Sequence, residues 1–298
     1  MQVNNLIKSR VSLAPMAGIT DYILRSLVRE MSDKALLTTE MISSEALTQV
    51  KEVNILKRDE NHSPVSYQLS GHKPEMIANC AEYLQKYADM IDINMGCPVN
   101  KVVKGTDGAA LMKNPELAQS IVKTVKSKIS IPLSVKFRLG YSADNMNYVE
   151  FGQKMQEAGA DFITIHARTR NQMYGGKADW KKIAELKKNV DIPVFANGDV
   201  VSIETAEQCL EESCADGVAI GRGILGDVSL IYRIEHYLET GEKLSPPTLK
   251  DKIINDFKLP QNQYDFTLRS YSEVKGEKYD YIKGEDQFFD FFQVFQLK

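Results

Sequence analysis

Met90-Ile91-Asp92-Ile93-Asn94-Met95-Gly96-Cys97-Pro98 is the stretch on which the reading of the whole chain turns. A run of apolar, β-branched-rich residues ends in a polar Asn94, and Gly96 and Pro98 then stop it. Glycine permits a turn that other residues resist, and proline lacks the N–H that strand pairing needs. A strand therefore runs into a tight loop that presents one thiol, Cys97.

Working outward, the same unit recurs. Besides residues 90–94, short apolar runs lie at 11–13, 35–38, 65–69, 133–137, 162–166, 193–196 and 217–220. Helical spacing predicts helices over 74–87, 115–126, 148–158, 180–188, 202–212 and 227–239, and Thr20 or Asp21 can cap an earlier one carrying Ile23, Leu24, Leu27, Val28 and Met31. Strands alternating with helices in this way predict an α/β chain closed into a parallel (β/α)8 TIM barrel. The competing open, doubly wound sheet normally shows GxGxxG after its first strand, and that motif is missing here. Pro15, Gln68, Asn94, Lys136, His166, Asn197 and Gly221 all fall near the C-terminal ends of predicted strands. In a barrel those ends converge on the face where chemistry is done.

At 298 residues, with 43% hydrophobic and 26% charged residues, the chain has the composition of a water-soluble globular protein. No apolar run approaches the ~18 residues that span a bilayer, and no secretory leader opens the sequence, so no membrane role is expected. Cys80, Cys97, Cys209 and Cys214 show neither CxxC nor zinc spacing, which predicts reduced thiols, a cytoplasmic setting and no metal. Cys80, Cys209 and Cys214 lie in or near predicted helices and read as buried structural thiols. The net charge of −3 and pI near 5.9 argue against a general nucleic-acid binder.

Several residues point to chemistry. Lys136 sits inside an apolar strand, where an unpaired ammonium is costly. It either pairs with a barrel acid such as Asp92 or faces an anionic ligand, and the second reading is preferred. His166 opens His166-Ala167-Arg168-Thr169-Arg170, and arginines at alternate positions can grip phosphates or stack on bases. Asn197-Gly198-Asp199 and Gly221-Arg222-Gly223 follow the seventh and eighth strands, where barrels of this kind bind phosphate. Cys97, in a loop with Lys101 and Lys104 nearby and no protease-like partners, reads as a proton donor rather than an acyl carrier.

With these residues in place the chain resembles the tRNA-dihydrouridine synthases, flavin-dependent barrel reductases. The matching stretches include Leu13 to Asp21, Asp92 to Pro98, Lys101 to Gly105, Gly108 to Met112, Val135 to Arg138, His166 to Arg170, Asn197 to Asp199 and Gly221 to Gly223. The resemblance implies FMN on the C-terminal face, lined by Pro15, Met16 and Ala17 and hydrogen-bonded by Gln68. Lys136 would face the pyrimidine part of the ring, and His166 would contact ring or phosphate. Asn197, Gly198, Asp199, Gly221 and Arg222 would hold ribityl and phosphate. NADPH would reduce the flavin, and a uridine flipped out of the tRNA would accept hydride at one carbon of its 5,6 double bond. Cys97 would protonate the other carbon and Asn94 would orient the base. Lys101, Arg138, Arg168 and Arg170 would meet the tRNA, with Lys177, Lys181 and Lys182 extending a basic mouth on an otherwise acidic protein.

The resemblance implies a catalytic barrel over 1–243 and a C-terminal segment over 244–298. Family members continue past about Leu249 into a helical tRNA-clamping domain, but here helical periodicity is lost. Eleven of the chain's aromatic residues fall in 257–298, Phe288, Phe289, Phe291, Phe292 and Phe295 among them. A frame-shifted or otherwise altered end is the expectation, with the protein a monomer. Two other readings compete: an FMN barrel acting on a free pyrimidine, similar to dihydroorotate dehydrogenases, and a tRNA-binding protein with impaired turnover.

Overall fold

The computed structural model describes residues 3–49, 62–104 and 106–246. The expected altered C-terminal segment therefore falls almost wholly outside the described residues. Eight strands close into one parallel barrel in sequence order: β1 (Val11–Leu13), β2 (Leu36–Ser43), β3 (Val65–Ser70), β4 (Met90–Met95), β5 (Leu133–Arg138), β6 (Phe162–His166), β7 (Val194–Asn197) and β8 (Gly217–Ile220). β1 closes the ring on β8, with Leu13 opposite Ile220. The (β/α)8 expectation is met, and the structure adds an eight-residue β2. That strand continues through Thr39 and Glu40 past a register irregularity between Thr38 and Met41, and Glu40 accepts a hydrogen bond from the Gly18 N–H at 2.6 Å. Polar residues that read as the end of a strand instead tie the β1 loop to β2.

The outer layer is built from amphipathic helices: α2 (Tyr22–Met31), α4 (Pro74–Leu84), α6 (Pro115–Lys128), α7 (Tyr148–Glu157), α8 (Trp180–Lys187), α9 (Ile203–Ser213) and α10 (Leu230–Thr240). Four of them start or end at a visible cap. Asp21 caps α2 by accepting from the Leu24 N–H at 2.9 Å, Asn114 caps α6, and Ser202 with Thr205 forms a reciprocal capping box on α9. α10 stops at Gly241 in the left-handed region. Short helices α1 (Val3–Leu6), α3 (Ser44–Gln49) and α5 (Asn100–Lys104), with a 3₁₀ turn at Gly108–Lys113, escape the sequence reading because each is too brief to show a period. No helix among the described residues is long and apolar enough to cross a membrane.

Strand alternation sorts the side chains. The outward set, including Tyr67, Leu69, Ile91, Ile93, Val135, Phe137, Ile163 and Ile165, packs against the helices in the main core. The inward set begins with an apolar floor, where Leu6 of α1 meets Leu36, Met90, Phe162 and Phe195. Above it lies a polar layer of Ser12, Ser66, Asp92, Ser134 and Thr164. Gln68, Asn94, Lys136, Arg138, His166 and Asn197 lie at further inward positions, toward the C-terminal mouth.

Candidate active site at the C-terminal mouth

The site is organised by a file of side chains across three strands. Asp92 accepts from Ser134 Oγ (2.6 Å) and Gln68 Nε2 (2.6 Å), and Gln68 Oε1 accepts from Asn94 Nδ2 (2.8 Å). Asn94 Oδ1 then accepts from the backbone N–H groups of Gly96 (3.2 Å) and Cys97 (2.9 Å). Arg138 Nε donates to the Gly96 carbonyl at 2.8 Å, and the Ala109 N–H donates to the Cys97 carbonyl at 3.0 Å. The cysteine loop is thus held through its backbone from three directions, which leaves the half-buried Cys97 thiol as its variable group. Gly108 fits this packing because its φ is +59° and a Cβ there would stand 2.8 Å from the Cys97 carbonyl oxygen.

Electrostatics follow from burial. Burial pushes the Cys97 thiol up, against the opposing pull of the Val99 N–H, Arg138 and Lys136, so it stays a thiol near neutral pH. Burial, then Arg138, bring Lys136 down to about 8, although Asp92 and Cys97 favour its charged form. Lys136 makes no ion pair with Asp92; its Nζ donates to Asn197 Oδ1 at 3.0 Å. Burial and the cations Arg138, Lys136, Arg168 and Arg222 hold His166 well below its usual range, so the ring is neutral. Burial raises Asp92 over the pull of Ser134, Gln68 and Lys136.

Two of the arginines assigned to tRNA are not surface groups. Arg168 is 1% exposed: Nε donates to the Gly175 carbonyl (3.0 Å), and Nη2 donates to the Gly176 carbonyl (2.6 Å) and Asp199 Oδ2 (2.7 Å). Arg138 is 2% exposed and also donates to the Thr169 and Met173 carbonyls. Both brace the loop after β6 against its neighbours, so neither guanidinium stands open at the surface to meet the tRNA. Arg168 lies in a loop, which has no period from which to tell an inward arginine from an outward one; Arg138 ends β5 on the same face as Ser134 and Lys136, which the strand period does record. Arg170 is half-buried and donates to Asn171 and, by a short contact, Asn100. Lys101 lies on α5, and its side chain is outside the described set.

The remaining expected residues converge on the mouth, several with roles already taken. Gln68 is 1% exposed and both its amide oxygen and nitrogen are engaged inside the barrel. Asp199, at φ +57°, accepts from Arg168 and the Ala178 N–H (2.7 Å) and lies 3.7 Å from Arg222 Nη2. Its carboxylate positions the arginines rather than opposing a phosphate. The Gly198 carbonyl accepts from Trp180 Nε1 at 2.9 Å, which pins the β7 loop. Asn197 Nδ2 donates to the Ala219 carbonyl at 2.7 Å, and Arg222 is half exposed. Pro15 and Met16 are half-buried beside these residues, and Ala17 is exposed. Of the thiols expected to be buried, Cys80 and Cys209 are, but Cys214 is exposed at the α9 C-terminus, where it adopts the left-handed conformation that ends the helix.

Tyr174 escaped the sequence reading. Its exposed ring stands over the mouth, 5.6 Å from the Arg138 guanidinium, 5.0 Å from that of Arg222 and 6.4 Å from His166. The only signal for it was its place four residues after Arg170.

The chain matches known proteins along most of its length. Residues 12–283 match the family model described as dihydrouridine synthase (Dus), a match that runs past Leu249. A probable tRNA-dihydrouridine synthase 1 of Synechocystis sp. is 43% identical over 85% of this chain and 72% of that relative. The tRNA-dihydrouridine synthase B of Shewanella oneidensis is 36% identical over 94% of this chain and 88% of its own length. Among solved structures, an old yellow enzyme homologue from Zymomonas mobilis shares the fold, with a TM-score of 0.53 at 14% identity over 87% of this chain and 95% of that one. A barrel with its cysteine loop braced at the mouth, matched by that model and those relatives along most of its length, belongs to the dihydrouridine synthase family.

Proposed function

We propose that this chain reduces the 5,6 double bond of uridines in tRNA to give dihydrouridine, with FMN as its flavin and NADPH as reductant. The observation that carries the reading is the Cys97 loop, fixed through Asn94, Arg138 and Ala109 beside a cluster of Lys136, neutral His166 and Asn197. The mouth fits a flavin phosphate and ring. A Cβ built on Gly221 meets nothing nearer than Met16 Sδ at 3.7 Å, so packing within the protein does not require glycine there, and the open cradle suits a ligand. Gly223 differs, since a Cβ there would stand 2.2 Å from the Val200 carbonyl oxygen.

When bound, FMN supplies the hydride. Pro15, Met16 and Ala17 would line it, with His166 at its ring; Gln68, whose amide is engaged by Asp92 and Asn94, would hold Asn94 in place instead. Asn197, Gly198, Asp199 and Gly221 would shape the tail pocket, where Arg222 offers the exposed guanidinium for the phosphate. Lys136 presents a cation on the barrel axis, where negative charge on a reduced ring or a uracil oxygen would be stabilised. The Cys97 thiol, protonated at neutral pH, holds the proton for the carbon of uridine that does not receive hydride. Asn94 keeps that thiol in place and retains one amide hydrogen for the base. Braced from behind by backbone carbonyls, Arg138 stands at the edge of the same pocket.

The case for a polynucleotide rather than a free pyrimidine rests on family membership and on the exposed cations Lys177 and Lys181, with the half-buried Arg170 beside them. The test is dihydrouridine mapping in tRNA from a strain lacking the gene. Loss at defined positions, restored by the wild-type gene, is expected; an unchanged map refutes the assignment. Purified protein should bind FMN and turn yellow, and protein that stays colourless with added FMN refutes the cofactor.

A further inference from the structure

A second feature lies beside the mouth. Between α5, the 3₁₀ turn at Gly108–Lys113 and the β5–α7 loop runs a groove of about 630 Å³, with Asn100, Lys113, Asn114, Tyr141 and Arg170 on its walls. Lys113 Nζ stands 3.5 Å from the centroid of the Tyr141 ring, and the Arg170 guanidinium carbon stands 5.3 Å from it. One aromatic ring thus gathers two cations, and neither has a carboxylate partner among the described residues. Arg170 Nε is buried without a hydrogen-bond acceptor. Like charges drawn together repel unless an anion joins them.

The rest of the groove favours the same sign of ligand. The 14-residue α6 begins here, with Asn114 as its N-cap, so its positive end faces the groove. Glu116, in the first turn of α6, is 2.8 Å from Lys154 Nζ on α7 and pairs there. Continuity with the thiol is direct: Asn100 lies three residues beyond Cys97 and contacts Arg170, while the 3₁₀ turn ending at Lys113 is tied to the Cys97 carbonyl through Ala109.

We infer that this groove binds a phosphodiester of the polynucleotide substrate, next to the nucleotide delivered to Cys97. Lys113 and Arg170 hold the phosphate, and Tyr141 fixes the two cations at a common spacing. The inference rests on the tRNA reading given above and adds the place where the strand leaves the active site.

The test uses full-length protein and an unmodified tRNA transcript, with Kd measured over a salt series. Lys113→Ala is expected to weaken binding about fivefold and to flatten the plot of log Kd against log salt by about 0.7–0.9, one phosphate contact. Lys113→Arg should keep most of the affinity. Tyr141→Leu should weaken binding although it removes no charge, and Tyr141→Phe should not. Lys113→Ala and Tyr141→Leu variants with wild-type Kd and slope would overturn the inference. So would a raised NADPH KM with unchanged tRNA affinity, which would assign the groove to the dinucleotide's phosphates. Failure of wild-type protein to form dihydrouridine tells against the enzymatic reading instead, and the groove is judged separately by the Kd series.

Discussion

Arg168→Ala should act on stability first and on tRNA affinity only secondarily. The wild-type guanidinium is buried, donates to two carbonyls and pairs with Asp199 at 2.7 Å. Breaking a buried pair by removing one partner costs about 3–5 kcal/mol. The low end applies here. Asp199 is 31% exposed, keeps the Ala178 N–H and has Arg222 nearby, while Gly175 and Gly176 are exposed and their carbonyls can take up water. For a domain of this size about 3 kcal/mol corresponds to a fall in Tm of roughly 6–12 °C. Thermal melts followed by circular dichroism would read this directly. Arg168→Lys, which keeps the charge but loses the fork, should fall between the two. A mutant that melts with the wild type but loses tRNA binding with a reduced salt slope would show the arginine to be an outward phosphate contact, and the reasoning from burial would fail.

Cys97→Ala should still oxidise NADPH through bound flavin but lose most uridine reduction, as read by dihydrouridine formed per NADPH consumed; retained reduction would place the proton elsewhere. Asn94→Ala frees the Gly96 and Cys97 N–H groups and should lower the rate of uridine reduction about 10²-fold, because small misplacements of a reacting group are costly; an unchanged rate would show that Arg138 and Ala109 suffice. Lys136 is held at about 8, below its ordinary value of 10.5, so between those pH values the unfolded chain binds more protons and stability rises with pH. Below pH 8 the group carries its full penalty, so Lys136→Met should stabilise the FMN-free protein at pH 7 by roughly 1–3 kcal/mol, with the gain fading toward pH 10.5. The same variant should bind FMN more weakly in a fluorescence titration, and a lower Tm at pH 7 would contradict the account.

The barrel was legible because a parallel strand buried on its outer face reads as a compact apolar run. β1, β6 and β8 begin and end where those runs do. β2 was read too short because its apolar run stops at Thr38, whereas the strand continues past a register irregularity and Glu40 serves Gly18. The placement of the site was legible for a related reason: Gln68, Asn94, Lys136, His166 and Asn197 break the apolar pattern at inward positions. Their partners were not legible. Asp92, Gln68 and Asn94 come together from two strands 24 to 26 residues apart in sequence, and that pairing depends on register. The inward turn of Arg168 and the ring of Tyr174 depend on how one loop packs, which no local pattern records.

The file from Ser134 through Asp92 and Gln68 to Asn94 has a consequence for anyone who would move this chemistry. The Asn94 to Pro98 loop carries little of its own geometry, because its aim is set by a partner on each neighbouring strand. Transplanted alone into another eight-stranded scaffold, the pentapeptide would arrive unaimed. The portable unit is the three-strand cross-section from β3 to β5 with Arg138 included, and a redesign should copy that cross-section before it copies the cysteine.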